Sequence, residues 1–198
     1  MEQFSFSVNN CLAKSGISCA IKRLYNQDMP VIVCVGTDAV SGDSLGPFVG
    51  TLLKEMGIPA FIYGYLDNPI TAQKISSVLA FIKSAHPDSK VLVIDSAVGK
   101  ADEIGLIKIS NCGIKPGLGA DKDLPMVGDV SIMGIVESKG RATVERLKTT
   151  RLRLIWEMAN IIAGAISEYI DYNNAEQANR YKSLTKIGKV IEKTKKVI

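Results

Sequence analysis

The chain has 198 residues, 46% of them hydrophobic and 22% charged, with a formal net charge of +4 at pH 7. That is about one domain's worth of chain. A core of this size buries roughly 70% of the unfolded surface, so no disulfide or metal staple is needed. The composition excludes wholesale disorder and a membrane-embedded protein. The charge is unevenly spread. From Asn173 to Ile198 seven basic residues stand against two acids, a net +5, whereas residues 1–172 carry 17 basic and 18 acidic residues, a net −1. The expected organisation is a nearly neutral domain over residues 1–172 and a basic tail over 173–198. A neutral body excludes the broad basic face of a dedicated duplex-DNA binder.

Cysteines stand at positions 11, 19, 34 and 112, with no CxxC, which reads as reduced thiols in the cytoplasm. The N-terminus has no basic segment leading into an apolar block, so no signal peptide is expected. No apolar stretch reaches the roughly 18 residues of a membrane span. The single histidine, His86, lies in Ala-His-Pro-Asp-Ser, a turn before a strand. A turn histidine removes the Ser-His-Asp and Cys-His plans, and one histidine cannot furnish an HExxH zinc site. Hydrolytic chemistry must then run on carboxylates, on Lys, or on a metal held by oxygen.

In chain order, residues 1–28 are mixed and polar, with a weak helix over Asn10–Tyr25. Val31–Gly36 is a β-branched run ended by glycine, the pattern of a strand buried on both faces. The loop Thr37–Gly42 follows, then a helix from Asp43 to about Met56 with Asp43 or Ser41 as its N-cap. Ala60–Tyr65 reads as a strand, and Asn68 to about Ser84 as a helix with Ile75, Val78, Leu79 and Ile82 on one face. Lys90–Asp95 is a strand ending on an acid, and Gly105–Ser110 is another. Asn111–Val127 is a long loop rich in Gly, Pro and Asp, and Asp129–Val136 is a strand. A helix is expected over Thr143–Tyr169, with Trp156 in the core, broken by Asn173-Asn174. The tail is then a separate amphipathic helix.

Alternating strands and helices predict an α/β domain with a mainly parallel central sheet covered on both faces. In such sheets ligands bind beyond the carboxyl ends of the strands, at a switch point. Asp95 falls there by pattern, and so does Asp43. Each has a plain alternative, as a turn or helix cap. If their strands are neighbours, both carboxylates line one cleft, where two close acids share a proton. One can then act as base toward water and the other as acid toward the substrate. The same oxygens could hold a divalent metal, with Asp38 as a third ligand. The Lys115–Gly119 loop could offer backbone N–H groups to an oxyanion, or be only a turn-rich connection. It lacks GKS or GKT, so a P-loop is excluded.

Three segments carry a resemblance. Val35–Pro47 resembles the spore germination protease segment in which a strand-ending glycine leads to Thr-Pro-Asp-Ala-Leu-Gly-Pro. Leu92–Ala97 resembles that family's second acidic strand, and Ile109–Gly119 its Gly-Pro-rich loop, in the same order. The short chain and lack of a pro-segment fit better the smaller YyaC-type sporulation proteins. The resemblance implies a three-layer αβα, phosphorylase/hydrolase-like fold shared with hydrogenase-maturation peptidases. It implies an atypical aspartic peptidase with catalytic Asp43 and Asp95, no metal and no cofactor. Gly36, Asp38, Ser41, Ser96, Gly117 and Gly119 would line the site. The substrate would be a protein or peptide, such as a small acid-soluble spore protein, in the cytoplasm of the sporulating cell or forespore. The sequence departs from the pattern at Ser41-Gly42, Thr37-Asp38, Ser96–Gly99 and in length. No histidine stands at a strand end, so nickel sensing is not expected. The alternative is a catalytically silent binding protein of the same fold, its basic tail contacting nucleic acid or a membrane surface. A homo-oligomer is left open.

Overall fold

The computed structural model of the protein describes residues 1–27, 30–115 and 126–195, with side chains as far as residue 178 except at 177. In chain order the elements are β1 (Gln3–Ser7), α1 (Ala13–Leu24), β2 (Val31–Cys34), α2 (Leu45–Glu55), β3 (Phe61–Tyr63) and α3 (Ile75–Ala85). Then follow β4 (Val91–Gly99), β5 (Leu106–Ser110), β6 (Val130–Ser138), α4 (Thr143–Lys148) and α5 (Leu152–Lys195).

The six strands form one sheet in the order β1-β5-β6-β4-β2-β3. The pairs β6-β4, β4-β2 and β2-β3 are parallel, while β1 and β5 add antiparallel strands at the far edge. This is the expected α/β fold with a mostly parallel centre. Every residue of β2 is buried, as its unbroken Val-Ile-Val-Cys run requires. Ile32, Cys34, Leu92 and Ile94 face α1, α2 and α5, where Ile17, Ile21, Val49, Leu53, Ile162 and Ile166 complete the larger core. Val31, Val33, Val91 and Val93 point the other way, onto Ile75 and Ile82 of α3. Helices therefore cover both faces, giving three layers.

Several boundaries differ from expectation. β1 lies in a segment that reads as mixed and polar. Its Phe4 and Phe6 alternate with serines, and an edge strand buries only one face. The helix expected from Asn68 starts at Ile75, because Ile70 is instead held in a bridge to Val35. The helix expected over Thr143–Tyr169 is two helices. Thr149 and Thr150 both turn their hydroxyls back to the Arg146 carbonyl (3.2 and 3.3 Å), a local bond that competes with the helix ladder. Asn173 does not end α5. It is buried at 8% exposure, and its amide donates to the Gln27 carbonyl at 3.4 Å. That bond offsets a helix-propensity cost of under about 1 kcal/mol. The 44-residue α5 is consequently about 66 Å long and carries the basic segment as a continuation of the helix. Trp156, expected in the core, is 47% exposed and stands edge-on to Phe48. The four cysteines are free thiols. Among the described residues no helix is long and apolar enough to cross a membrane.

Two buried tyrosines fasten the amino ends of the interior strands β2 and β4, opposite the candidate site. The Tyr25 hydroxyl donates to the Lys90 carbonyl (2.7 Å) and accepts from the Val31 N–H (2.9 Å). The Tyr169 hydroxyl donates to the Gln27 carbonyl (2.7 Å). α2 comes close enough to the sheet that a Cβ on Gly50 would lie 1.9 Å from the Gly64 carbonyl oxygen. Both partners there are backbone, so neither yields cheaply. Gly50→Ala is expected to lower stability by about 1–3 kcal/mol. Gly140→Ala, whose Cβ would meet nothing nearer than the Arg146 guanidinium at 3.7 Å, should stay within about 0.5 kcal/mol. Urea midpoints of the two variants check this; equal midpoints would contradict the close packing of α2.

Candidate functional site

Asp95 is the fifth of nine residues in β4, not its last. The strand outruns expectation because β6 pairs with it as far as Gly99, whereas β2 pairs only as far as Ile94, opposite Cys34. Asp95 is thus the first β4 residue beyond the β2 ladder. The side chain is 5% exposed, and one oxygen accepts the Ser96 N–H at 2.7 Å.

Asp43 arrives from the loop after β2. Gly36 has φ +136°, and a Cβ there would lie 2.1 Å from the Asp43 carbonyl oxygen. A Cβ on Gly46 would lie 2.0 Å from the Val35 carbonyl oxygen. Only glycines let this loop fold back onto the end of β2. The Thr37 N–H then donates to the Asp43 carbonyl at 3.0 Å. From the far side, Leu147 and Thr150 press on Gly42, and the Ser41 hydroxyl donates to the Lys148 carbonyl at 3.2 Å. The N-cap of α2 is Ser44, not Asp43 or Ser41, and its hydroxyl donates to the Ser41 carbonyl at 2.6 Å. The Asp43 carboxylate is therefore free of capping and accepts the Ser96 hydroxyl at 3.5 Å.

The strand order makes β2 and β4 neighbours, so the two acids come together at the carboxyl ends of parallel strands. Chain connections leave in opposite directions there, since β3 lies beyond β2 and β6 beyond β4, which is a topological switch point. Ser96 touches both acids, one through its amide and one through its hydroxyl. Burial pushes Asp43 up to about 6, with the Ser96 hydroxyl and Thr37 amide pulling the other way. Asp95 is raised well above the usual carboxylate range, first by complete burial and then by the Asp43 charge. Neither shift has a cation among its causes. Both shifts favour the protonated form, and burial does so most strongly at Asp95.

Gly36 and Ser96 lie at the pair, while Ser41 is turned to the α4–α5 junction. Asp38 is exposed, and among the described residues no group of three or more His, Cys, Asp or Glu could hold a metal ion. Gly117 and Gly119, with most of the Lys115–Gly119 loop, lie outside the described residues. His86 is far along the fold, at the end of α3, where its Nε2 meets the Tyr63 hydroxyl at 2.7 Å. Sequence reasoning missed Thr37 as a donor to Asp43 and Leu147 as the backstop of its loop. The strand-ending Gly36 was a signal for the first, since the next amide must turn inward; nothing in the sequence marks the second.

The electrostatics set a sign for stability. Both acids bind protons more tightly folded than unfolded, so their contribution is fully present below about pH 4 and is lost as pH rises through about 6 for Asp43, and higher for Asp95. Asp95→Asn removes this cost. It should raise the thermal midpoint at pH 8 and leave it nearly unchanged at pH 4. Asp43→Asn should follow the same direction, by at most about 3 kcal/mol. Thermal unfolding across this pH range checks it, and a variant destabilised at pH 8 would contradict it.

The fold is shared with a solved [NiFe] hydrogenase maturation protease, HycI from Thermococcus kodakarensis KOD1, at a TM-score of 0.51 and 20% identity, covering 77% of this chain and 99% of that one. The uncharacterized protein YyaC of Bacillus subtilis (strain 168) is 41% identical over 138 residues, 69% of this chain and 67% of that protein. Residues 6–165, which include strands β2 to β6 and both site acids, match the family described as "Protein of unknown function (DUF1256)", and the chain belongs to that family.

Proposed function

We propose that this protein is a peptidase of the aspartic type, cutting a protein substrate through Asp43 and Asp95. The observation that carries the reading is the pair itself: a buried acid on β4 and a second acid on the loop that follows the neighbouring strand β2, both with raised proton affinity and no cation among the causes. Stability alone does not favour such an arrangement, which is the usual mark of a working acid–base pair. The likeness of fold to a maturation protease supports the reading, and the ordered segments resembling the spore germination protease give its finer form. In that form the substrate is a spore protein of the small acid-soluble kind, and the enzyme works in the cytoplasm of the sporulating cell or forespore.

In this reading Asp43, ionised at neutral pH, takes a proton from a water that attacks the scissile carbonyl carbon. Asp95, protonated, donates to the carbonyl oxygen, so the tetrahedral intermediate forms neutral. Its collapse breaks the C–N bond as the proton on Asp43 passes to the leaving amine and Asp95 recovers its own from the hydroxyl. Ser96 holds both carboxyls in register.

A second reading draws on the continuation of α5 to Lys195 as one helix with a net basic end. It makes the protein a catalytically silent binder of an anionic partner. One experiment separates the two. Purified protein is offered small acid-soluble spore proteins between pH 4 and 10, and products are identified by mass spectrometry. The peptidase reading expects kcat/KM to rise through about pH 6 as Asp43 ionises and to fall at higher pH as Asp95 loses its proton. Asp43→Asn and Asp95→Asn should each lose activity at least about 100-fold. Absence of any cleavage by the native protein would overturn it in favour of the second reading.

A further inference from the structure

A cavity of about 430 Å3 opens between β3 and α3, lined by Tyr63, Tyr65, Ile70, Lys74, Val78 and Phe81 among others. Its size suits one or two large side chains. β3 is the outer strand of the sheet, and among the described residues no strand pairs with its free edge. The Phe61 N–H donates inward to the Pro30 carbonyl at 2.8 Å, so by strand alternation the Ile62 amide and carbonyl face outward. Phe-Ile-Tyr has none of the charges or prolines that normally blunt a free edge. Phe61 and Phe81 beside it are 43% and 58% exposed. One charged side chain lines the cavity, the exposed Lys74.

The cavity is also tied to the candidate site. Ile70 in its wall bridges to Val35, and its carbonyl accepts the Gly36 N–H at 2.9 Å. Gly36 in turn packs on Asp43. Adjacent strands are about 4.8 Å apart, so a strand added to β3 runs about 10 Å from β2.

We propose that the β3 edge and this cavity capture an extended segment of the protein substrate. The segment adds as a strand beside Ile62, seats a large apolar side chain in the cavity against Tyr63, Val78 and Phe81, and sets an acidic side chain against Lys74. Backbone pairing supplies affinity and the pocket supplies selectivity. The inference rests on the peptidase reading of Asp43 and Asp95.

The test uses the full chain with Asp95→Asn, which stops turnover away from the cavity. Fluorescein-labelled Ser-Glu-Val-Phe-Val-Ser and Ser-Lys-Val-Phe-Val-Ser are titrated by anisotropy. The first should bind at least tenfold more tightly, and adding Lys74→Glu, an exposed change that leaves the core intact, should reverse the order. The Glu peptide should slow hydrogen exchange at the Ile62 amide at least tenfold. Equal affinities, no binding at millimolar peptide, or an order untouched by Lys74→Glu would overturn the capture site. Spore-protein cleavage running at an unchanged rate in Lys74→Glu would overturn it too, while leaving the peptidase reading in place. Selective binding in a protein whose native form cuts nothing would do the reverse.

Discussion

A carboxyl group buried on the central strand of the sheet sets the character of this molecule. Asp95 stands at 5% exposure where apolar residues would pack, and its hydrogen bond comes from the adjacent Ser96 amide. Burying an ionised carboxylate without a cation costs several kcal/mol, so the group keeps its proton instead. A second acid, Asp43, is then brought close enough for its charge to raise the first further. Stability would be better served by an apolar residue at either position. The fold tolerates the pair because the surrounding core, with Ile32, Leu92, Ile94, Ile132 and the stripe of α5, is extensive.

The structure around the carboxyl ends of β2 and β4 holds these two groups in place. Gly36 and Gly46 let the loop after β2 lie directly on the strand end, where any side chain would strike a carbonyl. α4 is short, and the junction that follows it presses Leu147 and Thr150 on Gly42. Arg146 ties α4 to the end of β6, donating to Glu137 at 3.2 Å and to the Ser138 carbonyl at 2.7 Å. Asp43 is thus held from both sides by backbone geometry. No side chain caps α2, and the Asp43 carboxylate is left to accept the Ser96 hydroxyl.

The α/β class was legible because β2 and β4 are buried on both faces and so read as continuous apolar runs. β1 was hidden for the opposite reason, being a half-exposed edge strand of five residues. Strand ends depend on partners: Asp95 looked terminal, yet β6 carries β4 four residues further. The break expected at Asn173 failed because a distant carbonyl, that of Gln27, satisfies the side chain. Asp43 and Asp95 were each visible as acids near strand ends, but their meeting depends on β2 and β4 being neighbours, which only the topology supplies. The cavity beside β3 was illegible, since it is assembled from a strand, a loop and a helix with no shared motif.

The candidate site and the cavity share one wall, the Val35–Gly36 contact with Ile70. A segment held at the sheet edge and a pair of acids at the switch point would form one continuous path. That path has meaning only if the two carboxyls are coupled and protonated as their burial requires. Carboxyl carbon NMR of the native protein, followed from pH 3 to 10, reads this directly. Asp43 should titrate at about 6 and Asp95 well above the ordinary range, and Asp43→Asn should lower the Asp95 midpoint by removing the charge beside it. Two independent titrations near pH 4, with Asp95 indifferent to Asp43→Asn, would contradict the paired site.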